Sequence, residues 1–137
     1  MSVVLDSSIV LAWYFKDEQT AAVLAVLDEV VAEGAIVPPI WRYEVANGLQ
    51  MAVIRRRVDS AFRDNALSRL ARLSILTDSE CDAHAWSASV QLADRHGLTT
   101  YDASYLELAQ RRRTRLATLD RKMIDAAWTN RIPTIGS

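Results

Sequence analysis

The sequence predicts an α/β fold, a three-layer α/β/α sandwich around a mostly parallel central sheet. Two observations predict it. Short β-like runs alternate with amphipathic helical patterns along the chain, which implies parallel strands covered on both faces. The 137 residues also carry no repeat, no low-complexity segment and no linker, so residues 1–137 read as one domain with room for a proper core.

The elements follow in order. Val3, Val4 and Leu5 are an apolar run fitting a short buried strand, and Ile9 to Trp13 open a helix. Val23, Leu24, Leu27, Val30 and Val31 make a helical stripe that ends at Gly34, a helix stop. "AIVPP" (35–39) predicts the second strand, with proline opening a helix over 40–57. Phe62, Ala66, Leu70 and Leu73 mark another helix after Asp59. "SILT" (74–77) predicts the third strand, 78–97 one helix with an acidic start and a glycine end, and a further helix starts near Asp102. "RLATLD" (115–120) predicts the fourth strand, a short helix follows, and "IPTIG" (132–136) fits a fifth.

Composition narrows the function classes. With 50% hydrophobic and 24% charged residues, the chain has a globular balance that excludes disorder. Its one cysteine excludes an internal disulfide and a cysteine-cluster metal site, and fits a reducing, cytoplasmic setting. The apolar stretches are too short to span a bilayer, and Asp6 interrupts anything resembling a secretory signal. Net charge is −1, but its distribution is uneven: residues 42–72 hold seven bases against three acids, and residues 110–137 seven against two. Fourteen of the sixteen bases are arginine, whose planar fork suits phosphate, so the blocks permit an anionic partner.

Four acids lie in apolar sequence. Asp6 ends the first strand in "VVLDSSIVLAW", and Asp120 ends the fourth in "LATLD". Ligands of open α/β sheets bind beyond the carboxyl ends of the strands, so these two can meet there. Asp102 stands at a helix start in "LTTYDASYL", and Glu44 lies one turn into its helix in "PPIWRYEVANGLQM". Unpaired charges in such surroundings are costly, and a shared divalent cation is one common solution, with magnesium and manganese the usual carboxylate-bound ions. Ser7, Ser8 and Thr118 are placed to hydrogen-bond the carboxylates or their waters. Each acid alone also has a simpler role. Asp102 and Asp120 suit helix N-caps, Asp6 can cap the next helix, and Glu44 can pair with Arg42 or Arg55.

The stretches "VVLDSSIVLAW", "PPIWRYEVANGL", "LTTYDASYLELA" and "LATLDRKM" together resemble the four acidic motifs of the PIN domain, in the same order and over essentially the whole chain. The size resembles the VapC-type toxins of toxin–antitoxin pairs. This resemblance implies a magnesium- or manganese-dependent endoribonuclease whose metal-binding acids are Asp6, Glu44, Asp102 and Asp120. It also implies an antitoxin partner and a homodimer. Ser7 stands where the family commonly has threonine, which keeps a hydroxyl.

Phosphodiester hydrolysis at such a site needs no histidine base, and His84, His96 and Cys81 read as structural or surface residues. An acidic centre repels RNA, so a basic rim is expected from Arg55, Arg56 and Arg57 and from Arg111, Arg112 and Arg113, although arginines also favour helix ends. Trp13, Tyr14 and Phe15 cannot all point inward from a regular helix, which offers an aromatic to a partner. A phosphotransfer enzyme using Asp6 would want a second aspartate where Ser8 stands. A non-catalytic interaction module on the same fold is the remaining alternative, disfavoured by the intact acidic set.

Overall fold

The structure, a computed structural model, describes residues 2–137. β1 (Val3–Leu5), β2 (Ala35–Val37), β3 (Ile75–Thr77), β4 (Leu116–Ala117) and β5 (Thr134–Ile135) form one sheet in the order β3-β2-β1-β4-β5. Every pairing is parallel, and Val4 lies opposite Ile36 on one side and Leu116 on the other. Val3, Val4 and Leu5 are wholly buried. A central strand covered on both faces has no solvent side, which is why it reads as an unbroken apolar run.

Among the described residues, eight helices cover the sheet: α1 (Ser7–Tyr14), α2 (Ala21–Glu33), α3 (Trp41–Ile54), α4 (Ser60–Leu70), α5 (Cys81–His84), α6 (Ala88–His96), α7 (Thr100–Arg112) and α8 (Arg121–Thr129). A single 3-10 turn spans Lys16–Glu18. The chain steps outward from β1 to β2 to β3, returns to β4 and steps outward again to β5. Right-handed crossovers then place α1 to α4 on one face and α5 to α8 on the other. The packing agrees: α1 contacts α2 and α3, α3 contacts α4, and α7 contacts α6, α8 and β1. The winding direction reverses between β1 and β4, the position where open α/β sheets leave a crevice at their carboxyl edge.

Local chemistry fixes the boundaries. Thr20, Asp59, Thr99 and Asp120 each accept a hydrogen bond from the backbone N–H three residues on, capping α2, α4, α7 and α8. Gly34 ends α2 with φ +80, and a Cβ there would come within 2.6 Å of the Ser74 carbonyl oxygen. Only glycine fits between the end of α2 and the approach to β3.

One expectation is corrected. The helix expected over 78–97 is broken at residues 85–87, where Ser87 leaves helical geometry (φ −121, ψ −89), so α5 and α6 are separate. The flanking residues suit a helix on both sides, so the break leaves no mark on the pattern. The aromatic triplet does not all point inward: Tyr14 is the partly exposed member. Trp13 and Phe15 are buried, and Tyr14 packs edge-on against Phe62 with centroids 6.4 Å apart. α1 ends at Tyr14 and Phe15 is extended, so the three side chains do not follow one helical progression.

Candidate active site

Asp6 leaves β1 directly at the reversal point. It occupies the N-cap position of α1 but makes no capping bond. Its Oδ2 accepts instead from Ser8 Oγ at 2.6 Å and from Thr118 Oγ1 at 2.8 Å. Both hydroxyls also accept from the loop after β4, Ser8 from the Leu119 N–H at 3.0 Å and Thr118 from the Asp120 N–H at 3.1 Å. Two hydroxyls thus clamp the first acidic motif to the fourth, and Oδ1 of Asp6 is left without a donor among the described residues. Burial pushes the Asp6 carboxyl above its ordinary range; the Ser8 and Thr118 bonds oppose this, and the charges of Asp102 and Asp120 add to it.

Glu44 lies in the first turn of α3, and its Oε1 accepts from the Tyr105 hydroxyl at 2.5 Å. Its carboxyl is raised by burial and by the charges of Asp6 and Asp102, against the Tyr105 bond. Asp102 lies in the first turn of α7 but is not the cap; Thr99 caps the helix and accepts from the Asp102 N–H at 3.1 Å. Burial, then the charge of Asp120, raises the Asp102 carboxyl. Asp120 does cap α8, its Oδ1 accepting from the Met123 N–H at 3.2 Å. Capping accounts for one oxygen of one acid. Glu44 is paired with neither arginine: Arg42 donates to Thr77 and to the Ile75 carbonyl, and Arg55 makes no ion pair among the described residues.

Asp6 lies in the field of Asp102 and Asp120, Glu44 in that of Asp6 and Asp102, and among the described residues none of the four carboxylates forms an ion pair. Among those residues, no three His, Cys, Asp or Glu side chains converge tightly enough to enclose an ion. A magnesium-type cation, which keeps several waters and takes only one or two carboxylates directly, does not need such an enclosure. The donor set is all oxygen, as hard cations require.

The arginine blocks lie elsewhere. At about 1.5 Å per residue, Arg111 and Arg112 stand roughly 14–15 Å along α7 from Asp102, and Arg55 to Arg57 follow the end of α3, about 15 Å or more from Glu44 near its start. Arg111 donates to Asp78 and Glu107 at 2.8 Å each, and Arg112 to Asp78 at 2.8 Å. Arg57 donates to Asp17 and lies 4.5 Å over the Phe15 ring. Neither block rims the acids. The expectation fails because like-charged runs say nothing about which members meet a buried acid: Asp78 is wholly buried and Glu107 nearly so. The sequence patterns single out neither of those two acids, nor the Tyr105 hydroxyl. Tyr105 stands three residues after Asp102 on the same helical face, which is the available signal. Arg121 and Lys122, directly after Asp120, are the exposed cations beside the site.

Comparisons with known proteins bear on the family and the fold. The family model of the PIN domain matches residues 3–129. The curated Ribonuclease VapC3 of Pyrobaculum aerophilum is 28% identical over 125 residues, covering 91% of this chain and 94% of that protein. The crystal structure of PAE2754 from the same organism superposes with a TM-score of 0.68 at 26% identity, over 92% of this chain and 79% of that one. FitAcB from Neisseria gonorrhoeae (TM-score 0.66, 18% identity, 96% and 95% covered) shares the fold. So does VapBC2 from Rickettsia felis bound to a DNA fragment from their promoter (TM-score 0.66, 16% identity, 98% and 97% covered). With a family match running almost from end to end, and a strand reversal that gathers four acids from four separate motifs, the chain belongs to the PIN domain family.

Proposed function

We propose that the protein is a divalent-metal-dependent endoribonuclease that hydrolyses RNA phosphodiester bonds, and that it is the toxin half of a VapBC-type toxin–antitoxin pair. In this reading it works in the cytoplasm as a homodimer and is held in check by its antitoxin. The observation that carries the catalytic part is the gathering of Asp6, Glu44, Asp102 and Asp120 at the strand reversal with no ion pair to any of them among the described residues. The 28% identity to a protein named Ribonuclease VapC3 supports RNA as the substrate class.

The four carboxylates would hold Mg2+ or Mn2+, which when bound supplies charge neutralisation at the phosphate and an activated water. The chain's own residues do the rest. Ser8 and Thr118 fix Asp6 through Oδ2, so that Oδ1 is the oxygen left to bind. Asp120 keeps one oxygen for its helix cap, which leaves the other to bind. Arg121 and Lys122 offer positive charge to phosphates flanking the cut.

The test is cleavage of a single-stranded RNA by nuclease-free protein with EDTA, magnesium or manganese. Cleavage restored by metal in the wild type and lost in Asp6→Asn supports the reading. Undiminished cleavage by folded Asp6→Asn would sink it, and a metal-insensitive, inactive wild type would favour an interaction module.

A further inference from the structure

We propose that Tyr105 is a positioning residue for the metal centre, aiming the Glu44 carboxylate at the cation through its buried hydroxyl. This rests on the reading of the four acids as a cation site.

Two helices meet at this hydroxyl. Tyr105 is wholly buried in α7, one turn after Asp102, and donates to Glu44 Oε1 on α3 at 2.5 Å. The bond has a directional consequence. It occupies Oε1 and leaves Oε2 of Glu44 as the oxygen to face a cation, as the Ser8 and Thr118 hydroxyls do for Asp6.

The bond also decides the rotamer. A glutamate has three side-chain torsions, and fixing them costs entropy that a pre-aimed ligand does not lose again on binding. Glu44 is half-buried on α3, while Asp6 and Asp102 repel it. Without an anchor its carboxylate would swing from the other acids toward solvent. The tyrosine ring supplies a rigid arm with its own packing, so the hydroxyl cannot follow the carboxylate away. Hydrogen-bond partners of metal ligands of this kind contribute about 10–100-fold to affinity.

The experiment is calorimetric titration of the full chain with Mn2+, paired with melting in EDTA. Tyr105→Phe keeps the ring and deletes only the hydroxyl. Its Mn2+ affinity should fall by about tenfold or more, with little change in the melting temperature in EDTA. In a Glu44→Ala background, deleting the hydroxyl should change Mn2+ affinity no further, because nothing remains for it to aim. A Tyr105→Phe chain that binds Mn2+ as tightly as the wild type overturns this inference alone. So does an equal loss with and without Glu44, which would mark a general packing effect. A wild-type chain that binds no Mn2+ overturns the reading of the acids and this inference with it.

Discussion

Thr118 donates to Asp6 across a sequence separation of 112 residues, at 2.8 Å and wholly out of solvent. The bond joins the end of β1 to the loop after β4, the two strands on either side of the winding reversal. It also supports a charge where burial opposes one. A buried carboxylate with two hydroxyl donors can stay ionised at a cost, and that cost has measurable signs.

The first is pH dependence. Burial and like charges raise Asp6, Glu44 and Asp102 above their ordinary values, so in the window just above the carboxylate range the folded chain binds more protons than the unfolded one. Stability then falls as pH rises through that window and returns on acidification. Asp78 works the other way: its two arginines hold it well below 3.8, so its contribution is present above that value and lost below it. In EDTA the melting temperature should rise as pH drops from neutrality toward the carboxylate range, then fall in stronger acid. Asp6→Asn should melt higher than wild type at neutral pH and depend less on pH. A mutant that melts lower at neutral pH, with unchanged pH dependence, would mean that Asp6 supports the fold.

A close helix contact gives the second. Gly48 lies one turn after Glu44 on α3, and a Cβ there would come within 2.5 Å and 2.7 Å of the two methyls of Leu11 on α1. Overpacking costs about 1–3 kcal/mol, while alanine gains about 1 kcal/mol over glycine inside a helix. Gly48→Ala should therefore lose only about 0–2 kcal/mol of stability by the same figures. The larger effect should fall on metal-dependent stabilisation, because any part of the clash that Leu11 does not relieve by swinging aside shifts α3, which carries Glu44. Leu11→Ala in the same chain should restore the response to manganese. Thermal melts with and without the metal check both steps.

What could be read in the sequence follows from the kind of interaction. The parallel sheet and its order of elements were legible because apolar runs and helical stripes report burial directly, and the acids stood out as charges inside those runs. Capping was half legible: "TLD" and "LTTYD" both allow an aspartate cap, yet Asp120 caps its helix and Thr99, not Asp102, caps the other. The choice depends on a backbone turn that residue types do not specify. The partners of the arginines were not legible at all. Arg111 meets Asp78 across 33 residues, and nothing in "QRRRTR" distinguishes it from a solvated neighbour.

That ion cluster makes the third prediction. Arg111 is 19% exposed and holds Asp78 and Glu107, which are 0% and 5% exposed. Removing one partner of a buried pair costs about 3–5 kcal/mol, because the charge left behind stays buried. Arg111→Gln should destabilise the chain by that order in urea unfolding. Arg113→Gln, at an exposed position with no ion pair among the described residues, should stay within about 0.5 kcal/mol. Equal, small effects would mean that the cluster is open to water.

Arg121 and Lys122 carry the last prediction, which separates folding from substrate. They open α8, where the helix dipole disfavours positive charge, and Arg121 is 85% exposed and only 4.0 Å from Asp125 at its nearest. Folding gains little from them there. They are nevertheless the cations directly after Asp120, and phosphates drawn to an acidic centre need positive charge at its edge. Replacing both with glutamine should leave stability unchanged or slightly raised, by about 0.3 kcal/mol or a little more from the relieved dipole. RNA binding should weaken, and its dependence on salt should flatten by about 0.7 in log–log slope for each phosphate of single-stranded RNA that the two cations neutralise. Arg55→Gln and Arg113→Gln, a helix length from the acids, should leave that slope alone. Binding is measured at several salt concentrations with Asp6→Asn in every chain, so that cleavage does not consume the RNA. If the double mutant keeps the parental slope while the distant substitutions reduce it, RNA is gripped from the opposite edge of the sheet.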